Sequence, residues 1–250
     1  MKKIKLLLFL PICFYFFNNI LLNTHTAESL TSPEMVLIPG GEYTSGSDRF
    51  NDERPKRKIF LSPFFIDKYE VTQKYFSKIF KKHSSEFRGE ILPVDHVNWY
   101  QARDYCNESG KRLPTEAEWE KAARGTDGRI FPWGNEFPTN DRVTFLRKFD
   151  ILGFKALEQV DSMPSGQSPY GVHHMAGNAW EWVSDWYKDI YYEDSPYTNP
   201  KGPESGITKV LRGGNWYYKA YYMRTTYRFN EKPDVFKNWQ GFRCAKDLNA

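Results

Sequence analysis

Twelve residues, Met175 to Trp186, hold the densest chemistry in the chain: Met-Ala-Gly-Asn-Ala-Trp-Glu-Trp-Val-Ser-Asp-Trp. Trp180 and Trp182 flank Glu181, so in an extended backbone both indoles face one way and the carboxylate faces the other. Gly177 and Asn178 tolerate positive φ and place a turn just before them. Such a turn gathers backbone carbonyls beside one carboxylate, the oxygen cluster that a hard cation such as calcium takes. The same residues also describe an aromatic core strand whose glutamate is hydrogen-bonded to backbone. Local sequence leaves both readings open.

The elements that must position this stretch follow from composition and pattern. At 250 residues the chain is long enough for one domain with a real core. Aromatic residues make up 17% of it, so many side-chain hydrogen bonds are expected, because Trp and Tyr must satisfy their polar tips. Residues 1–27 have a basic start, an apolar run from Leu6 to Phe17 and a polar end, the layout of an export signal. An uncleaved N-terminal anchor is the alternative. Without this leader the formal net charge falls from +4 to +1, which argues against nucleic acid as a partner. Cys106 and Cys244 remain beyond it. In an exported chain such a pair most simply forms one disulfide; two buried free thiols is the other reading.

After a linker at 28–34, Met35–Ile38 reads as a strand, Pro39-Gly40-Gly41 as its turn and Glu42-Tyr43-Thr44 as the hairpin return. Ser45–Lys56 reads as a loop and Lys58–Lys68 as strand broken at Pro63. Thr72 starts a first helix, Asn98 caps a second that stops at Gly110, and Thr115-Glu116-Ala117-Glu118 is the capping box of a third ending at Gly125. Periodicity then fades: Thr139–Gln167 and Tyr187–Ser205 are long irregular connections. Lys209–Arg212 and Gly241–Ala245 are short strands. The fold class is α+β, with small sheets, about three helices and much loop.

Several pieces, in this order, resemble the formylglycine-generating enzyme (sulfatase-modifying factor) family. They include Met35 to Gly41, Tyr69-Glu70-Val71-Thr72, Gly110 to Glu120, Phe131-Pro132-Trp133-Gly134-Asn135, Gly177 to Trp182, Leu211 to Trp216 and Gly241-Phe242-Arg243. The resemblance implies an elaborated C-type-lectin-like fold over residues 35–247. It also implies a bond between Cys106 and Cys244, and calcium held by the carbonyls of Gly177 and Ala179 and the carboxylate of Glu181. A further ligand is normally Asn or Asp there, where this chain has His174, a poor donor for a hard ion.

The family's oxidase chemistry uses copper held by two cysteines after the Arg-Gly-Gly motif, because soft thiolates select Cu(I). Asn215 to Arg228 contains no cysteine, so copper is not expected. The lectin-like fold presents this same segment as a recognition surface, and Asn215, Tyr217, Tyr218, Tyr221, Tyr222, Arg224 and Arg228 have the composition of one. The reading is therefore an exported periplasmic, envelope or secreted module that binds a peptide, glycan or envelope protein. A membrane enters only if the leader is retained. The alternative is an oxidoreductase acting on a cysteine or other sulfur substrate through a non-cysteine metal site.

Overall fold

Two prolines at the same level of a long antiparallel ribbon set the shape of the first third of the chain. The computed structural model describes residues 34–147 and 156–248. The leader at 1–27 and all but Glu34 of the linker lie outside the described residues. Strands β1 (Met35–Ile38) and β2 (Gly41–Ser45) pair with β4 (Phe64–Asp67) and β3 (Arg57–Leu61). Met35 lies opposite Asp67, Ile38 opposite Phe64, Gly41 opposite Leu61 and Ser45 opposite Arg57, one uninterrupted register. The expected hairpin between β1 and β2 is thus corrected. Pro39-Gly40-Gly41 is a kink in one long arm, facing Ser62-Pro63 in the other, and the hairpin closes through residues 46–56. Proline has no N–H for the ladder, so both arms lose pairing at the same place. Gly40 is required there: a Cβ would stand 2.8 Å from Cδ of Pro63.

Helices α1 (Gln73–Phe80), α2 (Trp99–Glu108) and α3 (Glu116–Arg124) begin where their caps place them. Thr72, Asn98 and Thr115 each accept a hydrogen bond from the backbone N–H three residues on, and the last two close full capping boxes with Gln101 and Glu118. Gly125 ends α3 at φ 69°. A short helix α4 (Tyr191–Asp194) lies inside the second irregular stretch.

The second sheet is β5 (Trp180–Trp186), β6 (Lys209–Arg212), β7 (Phe229–Glu231) and β8 (Gln240–Phe242), in the order β7-β6-β5-β8. Only β5 and β8 run parallel. The single closing strand expected at Gly241–Ala245 is instead two: β8 joins this sheet, and β9 (Ala245–Asp247) pairs with β4 in the first. Arg243 and Cys244 carry the chain across. One core lies between the ribbon and α3, around Tyr43, Leu61, Phe64 and Trp119. Another fills the space between α1, α2 and the second sheet, around Phe76, Tyr105, Trp180, Trp182 and Phe242. No helix among the described residues is long and apolar enough to cross a membrane.

Cys106 and Cys244 form the disulfide, both fully buried, and so tie α2 to the crossover between the sheets. It closes a sequence separation of 138 residues. The double variant Cys106→Ser/Cys244→Ser is expected to lose about 2–5 kcal/mol of unfolding free energy, measured by urea denaturation under oxidising conditions. An unchanged midpoint would contradict this role.

Candidate functional site

The alternation read from Trp180-Glu181-Trp182 is realised. Both indoles enter the core against α1 and α2, while Glu181 turns to the other face. There Trp119 Nε1 donates to its Oε2 at 2.8 Å, and Arg243 donates to both oxygens at 2.7 Å each. Arg243 is itself fully used. Its remaining N–H groups reach the carbonyls of Asp67, Lys68 and His173. The glutamate partner is therefore a guanidinium and an indole, where the strand reading anticipated backbone.

The turn before it is held just as closely. Gly177 has φ 72°, and a Cβ there would meet the Thr144 carbonyl oxygen at 2.4 Å. Gly177 N donates to Gly213 O, and Asn178 O accepts from Trp216 N. The Asn178 amide donates to Glu70 Oε2 at 2.7 Å and accepts from Glu158 N at 2.9 Å. Glu70 is buried next to Glu181. Burial, then the charge of Glu181, pushes its carboxyl up to about 8.

The rings of the adjacent His173 and His174 both approach Ser162. His174 has φ 51°, outside the extended conformation on which alternation rests. Burial, followed by the charges of His173 and Arg243, pushes His174 down to about 3, so it is neutral and pins Gln159 and Ser162. A calcium ion does not fit this donor set. Both Glu181 oxygens point at protein N–H donors, a cation is already supplied by Arg243, and the further position holds a buried imidazole.

The segment from Asn215 to Arg228 divides into an inner and an outer part. Asn215 is fully buried, its Oδ1 accepting from Tyr217 N and Tyr218 N. Arg224 and Arg228 are also buried, which corrects their reading as surface contacts. Arg228 pairs with Glu116 at 2.7 Å, and Arg224 pairs with Glu53 at 2.7 Å. Tyr218, Tyr222 and Tyr227 are half-buried in an aromatic cluster, with centroids 4.8 Å and 4.9 Å apart in successive pairs. Of its tyrosines, only Tyr217, 61% exposed, and Tyr221, 41% exposed, are presented to solvent, with Lys219 exposed between them.

Tyr221 is held from behind, because the Arg224 guanidinium lies 4.7 Å from its ring centroid and 4.7 Å from that of Phe50. In front of it opens a groove of about 600 Å³, lined by Phe131, Phe137, Phe145 and Leu146. Phe137 is 72% exposed. Arg49 and Lys219 stand at its rim without an ion pair among the described residues. Sequence reading missed this groove. Phe137 and Leu146 lie in stretches without periodicity, so no pattern marks which of their neighbours share a face.

Glu70 holds its proton more tightly folded than unfolded. Its contribution to stability is complete below the ordinary value of 4.5 and is lost as pH rises to about 8. Asp95 and Asp185, each raised mainly by burial to about 7, act in the same direction. Glu70→Gln, isosteric with the protonated form, is expected to flatten the fall in urea midpoint between pH 5 and pH 8. An identical profile in both proteins would refute the assignment.

Residues 22–248 match the model of the sulfatase-modifying factor enzyme 1-like domain. In Chlamydia pneumoniae, a protein called serine/threonine-protein kinase pkn1 is 35% identical over 246 residues, covering 86% of this chain but 38% of that one. The formylglycine-generating enzyme of Bos taurus is 31% identical over 282 residues, covering 86% of this chain and 75% of the enzyme. The structure of PvdO from Pseudomonas aeruginosa superposes with a TM-score of 0.73 at 27% identity, over 86% of this chain and 95% of PvdO. The small sheets, four α-helices and long loops of the described residues are those of the elaborated C-type-lectin-like fold. The chain belongs to the sulfatase-modifying factor enzyme 1-like family, that of the formylglycine-generating enzymes.

Proposed function

We propose that this chain is an exported recognition module that binds an extended polypeptide in the groove before Tyr221, and that it does not run the copper oxidase reaction. The observation that carries this reading is the state of the cysteines. Both thiols beyond the leader are joined in one buried disulfide, and Asn215–Arg228 has none. The pair of soft thiolates that Cu(I) requires does not fit the residues present. Met223, the one sulfur in that segment, is fully buried and packs with Phe131, Val143 and Ala176.

The groove supports binding directly. Rigid aromatic side chains lose little rotamer freedom on contact, and such residues dominate hot spots. Arg49 and Lys219 add positive charge at the rim, which favours apolar peptides carrying acidic residues. The chain also spans only 38% of the chlamydial kinase relative, which is consistent with a scaffold used as an attached module. The disulfide and the leader-like N-terminus support export, because such bonds persist in oxidising compartments.

Panning a phage-displayed random peptide library on the protein is expected to enrich apolar sequences with acidic residues. Tyr221→Ala and Phe137→Ala should each weaken the selected peptide roughly 10- to 100-fold. Oxygen uptake with a cysteine-containing peptide and added copper should stay at background. Enrichment unaffected by both substitutions, or oxygen turnover, would overturn the proposal.

A further inference from the structure

We propose a second site: the cavity between α2, the 61–64 bend and residues 199–209 binds a small ligand carrying a carboxylate or phosphate group. This cavity, of about 710 Å³, shares no lining residue with the groove before Tyr221. It is therefore independent of the peptide-binding reading.

One wall is a stack of alternating cations and rings. The Lys209 ammonium lies 4.0 Å from the Trp99 ring centroid and 3.8 Å from that of Trp186. The Arg103 guanidinium lies 5.2 Å from Trp99. Trp99 is fixed in turn, its Nε1 donating to Val183 O at 2.8 Å. Two cations thus share one indole at the cavity surface.

Their charge is incompletely neutralised. Lys209 is 96% buried, given its 4% exposure, yet it forms no ion pair among the described residues; its hydrogen bond is to the Ser184 carbonyl at 2.7 Å. Asp185 acts on it electrostatically without forming an ion pair, so the buried ammonium is only partly compensated, and a cavity beside it is where an anion would be accepted. Lys201 adds an exposed cation without an ion pair among the described residues, and Arg103 is paired only at the surface, with Asp104. The acids in the lining, Glu118 and Asp247, are both already held by Arg112. Asn107 contributes an amide that makes no hydrogen bond among the described residues. The local balance therefore favours negative charge, with donors ready for its oxygens. Burial pushes Lys209 down to about 8, which leaves it charged at neutral pH.

The test is calorimetric titration and thermal melting with inorganic phosphate, D-glucuronate or glucose, at ionic strength fixed with sodium chloride. One or both anions should bind and raise the melting temperature, with glucose inert. Phosphate alone would identify a phosphorylated ligand, and glucuronate alone an acidic sugar. Arg103→Gln and Lys201→Gln, both at exposed positions, should each weaken binding roughly tenfold, the loss of one charge-assisted hydrogen bond. Lys209→Met, which keeps the aliphatic stem between the rings, should do the same. If Lys209→Met does not fold, the two exposed variants decide the matter. The inference fails if neither anion exceeds glucose, or if binding survives the Arg103→Gln/Lys201→Gln double variant.

Discussion

Helix α3 is buried along its whole length, charged residues included, and the rest of the fold is arranged to satisfy them. Glu116 receives Arg212 and Arg228, and Glu120 receives Arg124 and Arg212. Lys121 donates to the carbonyls of Pro39 and Gly41, so the kink in the long ribbon is also where a buried ammonium finds its acceptors. Arg124 donates to the carbonyls of Thr44, Gly46 and Gly128. Burial alone would raise Glu116, yet the charges of Arg228 and Arg212 outweigh it and hold its carboxyl below the ordinary value. An unpaired ion in this interior would cost several kcal/mol. Each loop that supplies a partner is therefore fixed by charge where it lacks regular secondary structure.

A second centre repeats the device at the crossover. Trp119 leaves α3 to reach Glu181, Glu181 holds Arg243, and Arg243 caps three carbonyls near the first sheet. Beside it, Cys244 is bonded to α2, and Asp67 both donates to and accepts from the Cys244 backbone. One short stretch thus joins helix, ribbon and sheet. Arg243 supplies the positive charge beside Glu181.

This use of arginine explains the character of the exposed face. Arg212, Arg224, Arg228 and Arg243 are all drawn inward, so the Asn215–Arg228 segment shows solvent mainly tyrosine. Arg224 links the two regions. It pairs with Glu53 in the long loop of the ribbon and supports Tyr221 through its guanidinium face. The loop is thereby part of the structure that presents the ring.

What the sequence determined by itself is local. The caps at Thr72, Asn98 and Thr115, the alternation around Glu181 and the strand at Met35–Ile38 are legible because each depends on residues within one or two turns. The family motifs add order along the chain. Tertiary structure alone decided which strand pairs with which: a Pro-Gly-Gly kink and a Pro-Gly-Gly turn look the same until the facing arm, with its own proline at Pro63, is known. It also decided which arginines face solvent. Whether a guanidinium is a contact or a core ion depends on a carboxylate supplied from distant sequence, 171 positions away for Arg224 and Glu53. No spacing rule encodes that pairing, because it arises from two surfaces meeting and from the high cost of leaving either charge buried alone.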